Sequence, residues 1–152
     1  MTTIDTRDLK VRKEELETLR DAITDAQSEM DQHKDLKPSE EDGEEFEAWE
    51  EELEELDKTL QNAKDEFGSD EKEELEELEE LESEISDFRH GETMVPVDDF
   101  EDYARELAED LGVTERNASW PLNHIDWEAA AEALAQDYTI VSYQGDDYYV
   151  RA

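Results

Sequence analysis

Cysteine is absent from this 152-residue chain, so it has neither a disulfide framework nor thiolate chemistry. Basic residues are scarce: 14 Lys and Arg stand against 50 Asp and Glu, a formal net charge of -36. That sign repels phosphate. It argues against direct nucleic-acid binding, whose non-specific affinity comes from attraction to the phosphates, and it disfavours anionic membranes. No apolar run approaches the ~20 residues that a membrane-spanning helix needs. The opening Met1-Thr-Thr-Ile-Asp5 lacks the basic-then-apolar layout of a signal peptide. Histidine occurs three times, at His33, His90 and His124, and never in a metal-ligating spacing. Asp87 and His90 lie three apart, which reads more simply as a helix-end contact. No glycine-rich phosphate loop, nucleophile elbow or Ser/His/Asp set is present. Neither Asp42-Gly43 nor Asp146-Asp147 supplies the ligand order of a calcium loop. Among so many acids, adjacent carboxylates arise by chance. The expectation is a cytoplasmic, acidic protein that is not an enzyme, has no catalytic residue, cofactor or metal, and meets a positively charged partner.

What the chain does contain is unevenly spread. Residues 1–39 carry a net charge of -3, residues 40–84 carry -21 and residues 85–152 carry -12. Nine of the 12 Phe, Tyr and Trp residues lie beyond residue 84. Two architectures are therefore expected to join near His90-Gly91, giving a helical part over 1–90 and a small module over 91–152.

In the first part, Leu9, Leu16, Ile23 and Met30 recur every seven residues, with Leu19 and Ala26 three residues after their heptad partners. This is an a/d seam whose matching outer positions are held by Arg12 and His33. Lys37-Pro38-Ser39 stops the helix, because proline disfavours a helical residue before it. A second seam follows through Phe46, Trp49, Leu53, Leu56, Leu60, Ala63 and Phe67. Gly68-Ser69 interrupts it, and Asp70 with Glu73 fits a capping box. A third run carries Leu75, Leu78, Leu81, Ile85 and Phe88. The interruption at Gly68 reads either as a true break or as a stutter in one helix from about Glu44 to Arg89. Neither seam can be buried by one helix alone, so the expectation is a long antiparallel coiled-coil hairpin.

The middle block has eight acids per base. An ordinary coiled-coil surface alternates Glu with Lys to gain a few tenths of a kcal/mol per pair, and like charges at that spacing cost a similar amount. Read as one helix, the block would span roughly 67 Å at ~1.5 Å per residue. That is about one net charge per 3 Å, close to one strand of duplex DNA at ~3.4 Å per phosphate. Carboxylates on a rigid helix can therefore stand in for phosphates and occupy a basic DNA-binding cleft. The candidate surface comprises Glu44, Glu47, Glu51, Glu54 and Glu55 in the second seam's helix, and Glu73, Glu76, Glu77 and Glu80 in the third. Asp98, Asp99, Glu101, Asp102, Glu106, Glu109 and Asp110 extend it around the next helix. They are expected to act collectively.

In the second part, Met94–Val97 reads as a short extended segment, edge-like because of Pro96. Asp98 or Asp99 caps a helix from about Phe100 to Leu111, with Phe100, Tyr103, Ala104, Leu107, Ala108 and Leu111 as its apolar set and Gly112 ending it. Asp126 caps a helix from Trp127 to about Gln136, built on Ala129, Ala130, Ala133 and Leu134. Tyr138–Tyr143 and Tyr148–Arg151 are strands joined by a turn over Gln144–Asp147. The fold class is α+β: the coiled-coil hairpin, then a module of two helices on one face of a two- or three-stranded antiparallel sheet.

Phe100-x-x-Tyr103-Ala104, the run Ile125-Asp126-Trp127-Glu128-Ala129-Ala130, Leu134, Asp137-Tyr138 and the closing Tyr148-Tyr149-Val150-Arg151 resemble the C-terminal domain of ArdA-type antirestriction proteins. The resemblance covers about residues 97–151. Those proteins come from mobile elements, mimic B-form DNA, inhibit type I restriction-modification enzymes and form elongated dimers. The family's other domains are not recognisable here, and a coiled coil stands in their place. Phage proteins that join a Glu-rich coiled coil to this module also look similar. The resemblance implies an antirestriction or other anti-defence inhibitor, a homodimer, and a basic DNA-binding enzyme of bacterial restriction or CRISPR defence as partner, in the cytoplasm of an infected host. The readings from other classes are a structural coiled-coil or assembly protein, and an acidic chaperone for a basic protein.

Overall fold

A computed structural model of the chain describes residues 2–151. Among them are five α-helices, two short 3-10 turns and a four-stranded antiparallel sheet. The order is β1 (Ile4–Asp5), α1 (Thr6–Asp35), α2 (Gly43–Glu66), α3 (Ser69–Glu84), β2 (Thr93–Pro96), α4 (Phe100–Asp110), α5 (Trp127–Ala135), β3 (Tyr138–Tyr143) and β4 (Asp146–Arg151). The class is α+β, as the sequence predicts. The chain divides into two compact units, Met1–Val11 with Glu77–Ala152, and Arg12–Glu76. These boundaries fall inside α1 and α3, whereas composition suggests one boundary near His90-Gly91.

In the unit formed by Arg12–Glu76, the two polar residues of the first seam are both satisfied across helices. Arg12 of α1 grips Glu74 of α3 through two hydrogen bonds, 2.9 and 3.0 Å. His33, at the other end of α1, stacks on Trp49 of α2 with ring centroids 5.5 Å apart. His33 Nε2 lies 2.8 Å from the Trp49 carbonyl, and the Trp49 indole N–H donates to the His33 carbonyl at 2.8 Å. Leu16, Ala26, Leu60, Ala63 and Leu75 are buried, while Phe46, Trp49, Leu53 and Leu56 are half-buried.

Gly68 is a true helix break. Phe67 ends α2, and the Gly68 N–H is capped by the Glu71 carboxylate at 3.2 Å. The expected pairing of Asp70 with Glu73 is thus two residues out: Gly68 precedes the first helical residue, and the acid three positions on reaches back. The single helix from Glu44 to Arg89 does not form. α3 ends at Glu84, and the turns after it fold Ile85 and Phe88 inward.

The other unit is built around the sheet, ordered β1-β2-β4-β3. The sequence suggests two or three strands, and the additional one is the opening Ile4–Asp5, which pairs Ile4 with Met94 and Asp5 with Thr93. A two-residue strand carries no periodicity of its own; tertiary pairing makes it. Thr6 fixes the junction, donating its N–H to the Glu92 carbonyl and accepting from the Glu92 N–H at 2.7 Å through its buried hydroxyl. Pro96 is not on an edge strand. β2 lies between β1 and β4, and Pro96 sits beyond the reach of β1, paired only with Tyr148 of β4. Gln144 and Gly145, at φ 50° and 84°, make the two-residue turn that the right-handed strand twist favours, so β4 starts at Asp146.

Phe100 of α4 packs on Tyr149 at 4.4 Å and on Tyr138 at 5.1 Å. Strand alternation puts Val95 and Ile140 on the same side of the sheet as Tyr149, and Met94, Val141 and Val150 on the other. The second half of α3 belongs to this unit. Leu78, Leu81, Ile85 and Phe88 are at most 3% exposed. Glu77 accepts a hydrogen bond from the Gln144 N–H, and Leu81 shares a cleft with Ile140, Val141 and Ser142. These residues read as seam positions because a helix on a sheet and a helix in a coiled coil show the same spacing. Leu111 is 70% exposed and leaves the predicted apolar set of α4, and Ala129 and Ala133 of α5 are exposed as well.

Candidate interaction surface

Helix periodicity decides where the acids point. In α2 the apolar seam takes one stripe, and Glu44, Glu47, Glu51, Glu54 and Glu55 are all exposed. In α3, Glu73, Glu76 and Glu80 are exposed, and Glu77 is half-buried because it caps the β3–β4 turn. Asp98, Glu101, Asp102, Glu106 and Asp110 are exposed, with Asp99 and Glu109 half-buried. The set is divided: Glu44 to Glu76 belong to one unit, and Glu77, Glu80 and Asp98 to Asp110 to the other.

The break at Gly68 changes the charge geometry. α2, 24 residues or ~36 Å long, holds 11 acids and two bases, about one net charge per 4 Å. α3, 16 residues or ~24 Å long, holds ten acids and one base, about one per 2.7 Å. α3 by itself thus exceeds the linear charge of one DNA strand, at one per ~3.4 Å, and α2 falls slightly below it.

Few of these charges are neutralised at close range. Of the sixteen candidate acids, among the described residues, only Glu54 forms an ion pair, with Lys58 at 4.0 Å and both side chains exposed. Other ion pairs lie outside the set. Arg12 with Glu74 is the best formed: its hydrogen bonds hold the Glu74 carboxyl below the usual range and raise Arg12. Asp5 caps the start of α1 by accepting the Arg7 N–H at 2.8 Å, and its hydrogen bonds with Arg7 lower its pKa to about 2. Burial, then the nearby Tyr103 hydroxyl, raises Tyr138.

Among the described residues, no group of three His, Asp or Glu side chains is arranged to hold a metal ion. Among the described residues, no helix is long and apolar enough to cross a membrane. Sequence periodicity does not find the cavity between α4 and α5, because Arg105, Thr114 and Trp127 meet there only through the fold. Leu122 and Trp120, beside it, are exposed. The chain matches no protein-family model, no curated protein and no solved structure.

Proposed function

We propose that this chain is a DNA-mimic inhibitor of phage type, which occupies the basic DNA-binding cleft of a bacterial restriction-modification enzyme or, second, of a CRISPR effector. The observation that carries this reading is the exposure of the candidate carboxylates with so little internal neutralisation: thirteen of the sixteen are exposed and only Glu54 is ion-paired, among the described residues. A protein selected for stability alone would pair Glu with Lys along these helices. Leaving the field negative costs stability, and attraction to a positive partner offsets that cost. The charge spacing of α2 and α3 brackets that of a DNA strand, and the likeness of residues 97–151 to ArdA-type domains agrees with it.

The scaffold we propose is a coiled-coil hairpin of α1 and α2, supported by the reciprocal His33–Trp49 contacts beside the Pro38 turn. The protein would act in the cytoplasm of an infected bacterium, where its partner is the defence enzyme, with homodimerisation implied by the family likeness.

Competition tests the proposal. A type I restriction enzyme and a CRISPR effector, each loaded with labelled duplex DNA, are titrated with the protein. Mimicry releases DNA from at least one of them in proportion to the protein bound. Simultaneous binding of DNA and protein, or no binding to either enzyme, sinks this reading and leaves the scaffold and chaperone readings.

A further inference from the structure

The sheet ends on one side at β1, which is two residues long and carries the charge of Asp5, and on the other at β3. An edge strand presents unpaired backbone groups, and proteins ordinarily blunt it with shortness, charge, proline or a bulge. β3 has none of these. It is six residues long, and its register with β4 runs unbroken from Tyr138 opposite Arg151 to Tyr143 opposite Asp146. It holds no charged residue, in a chain that is 42% charged. The two-residue turn makes Tyr143 and Asp146 a hydrogen-bonded pair, and every second pair from there, Val141 with Tyr148 and Thr139 with Val150, is bonded likewise. Ile140 and Ser142 therefore turn their N–H and C=O groups away from β4. Among the described residues, no helix or loop backbone bonds to them, and Ile140 is 57% exposed.

This edge opens on a cleft of about 240 Å³, lined by Ile140 and Ser142 from β3 and by Glu77, Glu80 and Glu84 from α3. The three glutamates follow one another at three and four residues, so they share one stripe of the helix. Glu77 is engaged by the Gln144 N–H. Glu80 and Glu84 are exposed and form no ion pair among the described residues. We propose that β3 is a docking edge for an extended segment of a basic partner protein, in which Lys or Arg alternates with apolar residues. The segment bonds its backbone to Ile140 and Ser142 and becomes a fifth strand. Side chains of a strand alternate, so every second one points to the α3 side, where Glu80 and Glu84 select a cation, and the others lie beside Ile140. The spacings agree: the four-residue step from Glu80 to Glu84 rises ~6 Å, and two residues of strand cover ~6.7 Å. A second copy of this chain fits the edge less well. Two copies joined antiparallel through β3 are related by an axis normal to the sheet, which sets their two rows of α3 carboxylates against each other.

The inference rests on the mimicry reading only in taking the partner to be basic, since DNA offers no counterpart of a strand edge. Its test needs no partner protein. The full chain is titrated with the capped peptide Lys-Val-Lys-Val-Lys-Val-Lys, with the same peptide N-methylated throughout, and with the isomer Lys-Lys-Lys-Lys-Val-Val-Val. Amide shifts and hydrogen exchange are followed by NMR. The alternating peptide is expected to bind saturably and to slow exchange at Ile140 and Ser142, with less change at Thr139 and Val141, which β4 already bonds. N-methylation keeps the charge and removes the backbone donors, and should weaken binding by about tenfold or more. The isomer should bind at least about threefold more weakly, because it cannot present cations on one side only. Glu80→Gln with Glu84→Gln should weaken the alternating peptide by about fivefold. Asp25→Asn with Glu29→Gln, on α1, removes the same charge and should leave binding unchanged. Equal binding of the N-methylated peptide, or an equal response to the α1 pair, would reduce the effect to general counter-ion attraction and overturn the proposal. Absence of binding would overturn it as well. Protection of Ile140 and Ser142 that rises with the concentration of the chain alone would assign the edge to a second copy, and overturn it too. A negative result here leaves the DNA-competition experiment standing, and a failure of that competition leaves this titration standing.

Discussion

At the residue scale, the informative positions are polar ones inside apolar patterns. Arg12 and His33 each interrupt the first heptad seam, and both turn out to be the places where α1 is fastened to another helix. The Arg12–Glu74 pair makes a pH-dependent prediction. Glu74 titrates below the usual ~4.3 of a glutamate when folded. A lowered folded pKa contributes stability that is fully present above the unfolded value and is lost as pH falls through the folded value. Arg12→Gln should therefore destabilise the chain by about 0.5–1 kcal/mol at neutral pH, the size measured for partly exposed pairs. The gap between wild type and variant in a urea melt should close below about pH 4. A gap that persists at pH 3 would mean that Arg12 acts through packing of its stem and not through the ion pair.

At the scale of the element, α3 is the instructive case. Its leucines recur with a helical period, and period alone does not say what a helix packs against. The structure gives its first half to one unit and its second half to the other. Leu81, 1% exposed beside β3, should cost about 2–5 kcal/mol on replacement by Ala. Leu53, half-buried in α2, should cost distinctly less. Equal losses in thermal melts would return Leu81 to the coiled coil. A second consequence concerns truncation. A fragment of residues 91–152 lacks β1, which pairs with β2, and lacks Leu78, Leu81, Ile85 and Phe88 of the buried core. It should show little far-UV dichroism and no cooperative melt; a cooperative melt would show that the sheet and α4 suffice. The Gly68 break was visible in the sequence as punctuation, but the cap frame was not, because Glu71 and Glu73 are equally good acids and only the last turn of α2 fixes which one reaches back.

At the scale of the whole molecule, the excess of negative charge governs two measurable properties. Self-repulsion lowers the stability of any compact state with a net charge of -36. Salt screens it, so the melting temperature at pH 8 should climb between ~0.01 and ~0.5 M salt. A flat response would show that the carboxylates are too dispersed to act as one field. The second property is binding. Replacing Glu44, Glu47, Glu51, Glu54, Glu73 and Glu76 together by Gln changes charge with little change in size or helix propensity. At ~0.5 kcal/mol for each exposed contact, the six together amount to ~3 kcal/mol, or about 150-fold in competition with DNA. Any single replacement should change competition by about twofold, with circular dichroism unchanged throughout. If the sixfold variant competes as well as wild type, the active surface lies on α4 and the other acids only keep the chain apart from its neighbours.

The sequence by itself determined the class of this protein, the ends of most helices, the β3–β4 hairpin and the exposure of the acids. Those follow from local rules: proline and glycine stop helices, β-branched and aromatic residues alternate in strands, and a carboxylate beside an apolar stripe faces water. Only the tertiary structure decided what meets what. It paired Ile4–Asp5 with β2, took the last turns of α3 into the sheet unit, joined Arg12 to Glu74, and brought Arg105, Thr114 and Trp127 around one cavity. Each of these depends on contacts between residues far apart in the chain, where helical and strand periods fix which side a residue faces but not which partner stands there.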